Sequence, residues 1–207
     1  TTTLTTPYLL QLPGNFSRLA HIEQSYYVCQ WYPKPAVYDR EGWHPMPYLS
    51  NGEFYSEFGN YEVTLTLPAN YVVGATGALQ TPSEQAFLDS LVKAHSSTNW
   101  ETVAYEADPY PPSKGSKTIR YTAEQVHDFA WFADKRFFVQ QQQIPLSSGK
   151  MVDNYVLFTR DGAEYWADSA LAYGRRALQY YSDAVGAYPY PTLTLVQANY
   201  RGTNMEY

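Results

Sequence analysis

The chain has 207 residues, 44% of them hydrophobic and 16% charged, a balance that reads as globular and excludes a disordered chain. Its 14 basic residues are outnumbered by 20 acidic ones for a net charge of -6, and they are scattered, which excludes a nucleic-acid surface because phosphate neutralisation needs clustered Lys and Arg. The length fits one domain or two small ones, and no apolar run approaches the roughly 20 residues of a membrane helix.

Residues 1 to 35 read as extended chain, first "YLLQLP" and then "YYVCQWYPKP", ended by Pro33 and Pro35. The one cysteine, Cys29, excludes an internal disulfide and reads as a small buried hydrophobe. Residues 36 to 60 are rich in Gly, Pro, Asn and aromatics and read as a long structured loop. "YEVTLTLP" is the clearest strand. Tyr61, Val63, Leu65 and Leu67 alternate with Glu62, Thr64 and Thr66, and Pro68 stops the run. "NYVVGATGALQ" predicts a short strand with glycine turns. "SEQAFLDSLVKA" predicts a helix, apolar at Ala86, Phe87, Leu91 and Ala94. After the loop "DPYPPSKGSK", the stretches "TIRYTA", "VHDFAWFA" and "MVDNYVLFTR" read as strands. The aromatic content, 17% with 21 Tyr, suits such sheets, and Tyr also lines peptide and sugar sites.

The pattern changes at residue 161. In "DGAEYWADSALAYGRRALQYYSDAVG", Asp161 stands as N-cap with Glu164 three residues on. Trp166, Ala170, Tyr173, Ala177, Tyr181 and Val185 recur at helical steps, and Gly186 supplies the stop. The turn "YPYP" and the strand "TLTLVQA" follow. The fold class is therefore mainly β, over 1–160, followed by a short α/β start over 161–207. There is no internal repeat and no low-complexity tract.

None of the four histidines, His21, His44, His95 and His127, sits in HExxH or another metal-ligand spacing. His127 and Asp128, on alternating positions, point apart. "SKGSKT" lacks the spacing of a phosphate loop, and Asn15-Phe16-Ser17 is a formal sequon. The residues alone carry no catalytic constellation.

"QWYPKPAVYDREGWHPMPYLSNGEFYSEFGNYEVTLTLPANYVVGATG" resembles the N-terminal β-domain of the gluzincin metallopeptidases, the zinc aminopeptidases of the aminopeptidase N and leukotriene hydrolase family, in a branch known from bacteria. "RYTAEQVHDFAWFAD" resembles the last part of that domain. "YYSDAVGAYPYPTLTLVQANYRGTNMEY" resembles the opening of the thermolysin-like catalytic domain, up to its GAMEN-like loop. The resemblance implies a β-sandwich or saddle-like domain leading into a substrate cleft. In that family a Gly-x-Met-Glu strand lies beside the bound peptide, and its Glu holds the free α-ammonium. Carried over, Glu206 is that Glu and Met205 the Met before it, with Gly202 just before the motif as a further substrate-binding residue. The pattern departs at Thr203, where the family has its first Gly, at Asn204, the next position, and at Tyr207, where Asn is usual. Family spacing places Gln24 beside the same amino group, with an exposed strand Gln as the alternative reading. The family's zinc comes from HExxH and a further Glu, which this chain lacks.

The resemblance thus implies an internal fragment of a zinc-dependent aminopeptidase, inactive alone, with peptides as substrates and zinc in the intact protein. No signal peptide is present. The compartment is open, with the periplasm or the exterior favoured for a bacterial protein. Two other readings stay open. One is a stand-alone aromatic-rich β-sandwich that binds sugars or peptides. The other is a non-catalytic scaffold relative, which the departures at 203, 204 and 207 allow.

Overall fold

The computed structural model describes residues 2–14, 18–47, 55–99, 102 and 112–198. The described chain is mainly β, in four small sheets. β1 (Leu19–Ile22), β2 (Ser25–Val28), β9 (Trp131–Asp134) and β6 (Val72–Ala75) form one, in that order. β5 (Gly59–Pro68), β8 (Ser116–Val126) and β7 (Ala78–Leu79) form a second. β10 (Phe138–Pro145), β11 (Met151–Phe158) and β12 (Thr192–Val196) form a third, in which β11 and β12 run parallel. β3 (Val37–Asp39) and β4 (Gly42–His44) pair only with each other.

Period-2 alternation decides how these sheets stack. Val73, Ala75 and Ala133 of the four-stranded sheet turn toward Leu65, Ile119 and Tyr121 of the second sheet. Val72, one residue out of phase, packs with Val139 and Leu157 of the third. Gly74 lets β12 come close, since a Cβ there would stand 3.0 Å from Val196 and 3.2 Å from Thr194. Each buried Val, Leu or Ile in these layers contributes about 1.5–3 kcal/mol.

Among the described residues, three helices complete the layers. α1 (Pro82–His95) packs Leu88, Phe87 and Leu91 on β10 and β11. A 3-10 turn (Arg160–Gly162) leads into α2 (Ala163–Trp166), and α3 (Ala170–Ala184) crosses back between β11 and β12. β11 and β12 therefore pair across residue 160.

Several expectations are corrected here. The stretch 36–60 is no simple loop, because β3 and β4 form a hairpin inside it. Its turn works because Gly42 takes φ +108°, and Asp39 Oδ1 accepts the Glu41 N–H at 2.8 Å. "VHDFAWFA" is not one strand. β8 ends at Val126, and Phe129 buries itself between β8 and β9. On α1, Ala86 and Ala94 face solvent while Glu84 and Leu88 are buried. The run 161–186 is not one helix, since α2 stops at Trp166 and α3 begins anew at Ala170. Its buried stripe keeps Ala170 from the expected one and is otherwise rotated from it. Ala170, Gly174, Leu178 and Ser182 face β11, and Tyr173, Tyr181 and Val185 face out. The close packing of helix on sheet selects small residues over large ones.

That packing is tightest at Gly174. Asn154 of β11 is wholly buried, donates to the Leu171 carbonyl at 3.4 Å, and finds no partner for its Oδ1 among the described residues. A Cβ on Gly174 would lie 2.7 Å from Asn154 Nδ2. Gly174→Ala therefore should lower stability by about 1–3 kcal/mol, although alanine is the better helix former by about 1 kcal/mol. A urea titration checks it. A variant more stable than the parent contradicts the close approach.

His95 closes the end of α1 onto β10. Its Nδ1 accepts the Val139 N–H at 3.0 Å and its ring meets Phe138 edge-on. Burial pushes its pKa below the ordinary 6.5. The unfolded chain then binds the proton more readily. This contribution to stability is complete above about pH 6.5 and is lost as pH falls through the lowered folded value. Melting temperatures across pH 5 to 8 are expected to show that acid-side loss. His95→Asn keeps an acceptor for Val139 and should flatten the slope.

Candidate functional site

β6 and β7 belong to different sheets, and the corner between them, Thr76-Gly77, crosses from one to the other. Gly77 takes φ +83°, and a Cβ there would sit 2.2 Å from the Thr122 carbonyl. Only glycine fits such a corner. Thr76 is fastened to the segment before β9, with Thr76 N–H donating to the Ala130 carbonyl at 2.9 Å and Ala130 N–H to Thr76 Oγ1 at 3.1 Å.

On the other side stands the turn of Tyr188 to Pro191. The two rings meet edge-on at 5.4 Å. Tyr190 donates to the Gln125 carbonyl at 2.8 Å and Tyr188 to the Thr192 carbonyl at 3.0 Å. Burial pushes the Tyr188 hydroxyl up to about 12, so it stays a donor at neutral pH. Thr192 Oγ1 donates to the Gly77 carbonyl at 3.0 Å and ties the turn to the corner.

Between the two lies a cavity of about 500 Å³, walled by Ala75, Ala78, Val126 and Phe132, with Glu124 among its lining residues and Tyr188 and Tyr190 opposite. β12 lines it with Thr192, Leu193, Thr194 and Val196. Residues of both alternation classes reach the cavity, so the strand presents its edge to it. Asp153 N–H bonds the Pro191 carbonyl and Gln197 N–H the Leu157 carbonyl, so the odd-numbered positions of β12 turn toward β11. The N–H and C=O of Thr194 and Val196 turn the other way, and none of the described residues bonds to them. A second, smaller cavity of about 110 Å³ continues between Gly77, Thr192, Gln85 and Tyr155.

The residues singled out from sequence divide in two. Gly202, Met205 and Glu206, with Thr203, Asn204 and Tyr207, lie outside the described residues. Gln24 occupies the turn between β1 and β2 and is half-buried, beside Glu23 at φ +51°. It does not line the cavity. His127 and Asp128 do not pair. The His127 ring lies 3.8 Å from Phe58, while Asp128 holds Lys34 at 3.0 Å and Tyr32 at 2.9 Å. Burial pushes the Cys29 thiol up to about 12, which keeps it protonated and unreactive. Lys117 of "SKGSKT" binds Glu84 rather than an outside anion. Among the described residues no three His, Cys, Asp or Glu side chains converge to hold a metal, so these residues do not fit zinc. No described helix is long and apolar enough to cross a membrane.

Sequence reasoning missed Gly77, Thr192, Tyr188 and Tyr190 as one site. "YPYP" read as a turn, and only the tyrosines flanked by prolines hinted that the turn was rigid enough to line a surface.

No protein-family model matches the chain, and no curated protein matches it. Among solved structures, the chain is similar to an M1 zinc metallopeptidase from Deinococcus radiodurans, at 16% identity and a TM-score of 0.46, over 72% of this chain and 28% of that one. A two-domain M1 zinc metallopeptidase mutant bound to L-arginine is also similar, at 16% identity and a TM-score of 0.45, over 70% of this chain and 28% of that one. The same figures hold for a two-domain mutant bound to L-tryptophan. The chain spans 28% of the length of these structures.

Proposed function

We propose that this chain is part of a zinc-dependent aminopeptidase and supplies one wall of the cleft that holds the peptide. What carries the reading is the open edge of β12 beside the tyrosine-lined cavity, in the stretch that resembles the approach to a GAMEN-like loop. An extended peptide adds to such an edge through main-chain hydrogen bonds, while side chains drop into adjacent pockets. Thr194 and Val196 offer the backbone groups, and the cavity offers the pocket. Glu206 holds the peptide's α-ammonium by a charge-assisted bond, with Gly202 and Met205 as further substrate-binding residues and Gln24 as a second ligand to that amine. Residues 1–160 are the later part of the β-domain and 161–207 the opening of the catalytic domain, joined by the shared sheet of β11 and β12. The described residues hold no zinc set. The metal belongs to the intact protein, and the 207-residue chain alone is expected to show no peptidase activity.

The test is binding. A short peptide with a free amino terminus should bind the chain about 10-fold or more tighter than its N-acetylated twin, the worth of one hydrogen bond to a charged group. Glu206→Gln should erase the difference. Equal binding of the two peptides to the parent chain rejects the role of Glu206. Reading the encoding gene past Tyr207 tests the metal, with HExxH and a following helix Glu expected in frame.

A further inference from the structure

The cavity beside β12 and the smaller one that continues it share Ala75, Gly77, Ala78, Thr192 and Thr194 in their walls, so the two form one recess. Among the described residues that line it there is no Lys, Arg or His. Its two charged side chains are both carboxylates, Glu124 in the larger part and Asp153 in the smaller. Asp153 is partly satisfied, since its Oδ1 accepts from Gln141 at 3.0 Å and from Gln143 at 3.1 Å. Glu124, exposed on β8, has neither an ion pair nor a side-chain hydrogen bond among the described residues. Other acids nearby do have cations: Glu62 of β5 meets Arg120 at 3.1 Å, and Glu84 of α1 meets Lys117.

We propose that the recess receives a lysine or arginine side chain of the peptide laid along β12, with Glu124 selecting its positive charge. This rests on the strand-edge reading above and adds a side-chain preference to it. Ala75, Val126 and Phe132 give the methylene stem an apolar wall, which suits long cationic side chains that cover apolar surface and keep the head among polar groups. Tyr190 supplies a ring for the head. Its hydroxyl donates to the carbonyl of Gln125, the residue after Glu124, which ties the ring to the strand that carries the carboxylate. Tyr188 meets Tyr190 edge-on and backs it. A cation is attracted both to a carboxylate and to the face of a ring. An acidic side chain would meet Glu124 as a like charge, and the recess holds no cation to offset it, so the discrimination falls on charge. Successive side chains of an extended peptide point to opposite faces, so the preference belongs to particular positions of the peptide and not to all of them.

Calorimetric titration with a peptide series tests this. The probe is an alanine hexapeptide with a free amino terminus, in which a single lysine, or its uncharged analogue norleucine, is moved along the sequence. At one position, or at positions two apart, the lysine peptide should bind about fivefold tighter than its norleucine twin, the upper end for an exposed ion pair. Glu124→Gln, at an exposed strand position, should make the twins about equal. Glu41→Gln removes the same charge from the β3–β4 hairpin, away from the recess, and should leave the advantage at about fivefold. Thermal melts confirm that both variants are folded. A lysine advantage that is the same at every position, or that survives Glu124→Gln, reflects the net charge of the chain and overturns the proposal. Twins that bind equally at every position overturn it as well. The strand-edge reading outlives that result if the free amino terminus still binds tighter than its acetylated form. If none of the peptides binds, both fall.

Discussion

Gly77→Ala is expected to cost more than about 4 kcal/mol, the range reserved for a buried site that cannot relax. Two penalties add. The φ of +83° is strained for any L side chain. The new Cβ would also meet the Thr122 carbonyl at 2.2 Å and the Ala123 Cβ at 2.8 Å, and a backbone carbonyl cannot swing aside as a flexible side chain can. Gly149→Ala separates the two. Gly149 takes φ +85° in open space, so its loss should be the strain alone, about 1–2 kcal/mol. Chemical denaturation of the two variants side by side measures the difference. Similar losses would mean that the corner opens at small cost. The fold is not the only thing at stake, because the Gly77 carbonyl accepts from Thr192 and so positions β12 against the cavity.

Breaking the Glu84–Lys117 pair is the second large effect. Lys117 Nζ lies 2.6 and 2.8 Å from the two carboxylate oxygens and 4.5 Å above the Phe87 ring. The Glu84 side chain is 4% exposed and that of Lys117 15%. Burial lowers the Lys117 pKa, opposed by Glu84 through its hydrogen bond and its charge. Removing one partner strands the other charge, so Glu84→Gln and Lys117→Met should each cost about 3–5 kcal/mol. Removing both is different. Glu84→Met with Lys117→Met exchanges a desolvated pair for apolar packing and should fall within about 1 kcal/mol of the parent. Urea unfolding of the two single variants and the double variant completes the cycle. A double variant that loses the sum of the single losses would show that each residue acts through its own contacts and not through the pair.

The sequence marked elements where side-chain period and burial agree. β5 was legible because Tyr61, Val63, Leu65 and Leu67 alternate with polar residues and one face alone is buried. Gly186 was legible as a helix stop, and it takes φ +151°. α3 was located and Ala170 was rightly placed inward, but the rest of the stripe was rotated, since apolarity marked Tyr173 and Tyr181 while close packing had chosen Gly174 and Ser182. The β3–β4 hairpin was hidden because its two-residue turn, Arg40-Glu41, carries none of the usual hairpin signals, and its glycine, Gly42, comes only after them. The candidate site was the least legible part. Its walls come from residues near 75, 124 and 190, and much of what they present is small side chains and main-chain atoms, which leave no periodic trace.

The order of strands in the four-stranded sheet sets the timing of folding. β9 lies between β2 and β6, yet it follows them by about a hundred and about sixty residues along the chain. As the chain leaves the ribosome, β2 and β6 emerge well before the strand that joins them, and both wait with unpaired edges. Folding must then close two long loops in one step, which is slow and leaves sticky edges exposed meanwhile. Stalling translation before Trp131 should leave a nascent chain that engages chaperones, and release past Asp134 should free it.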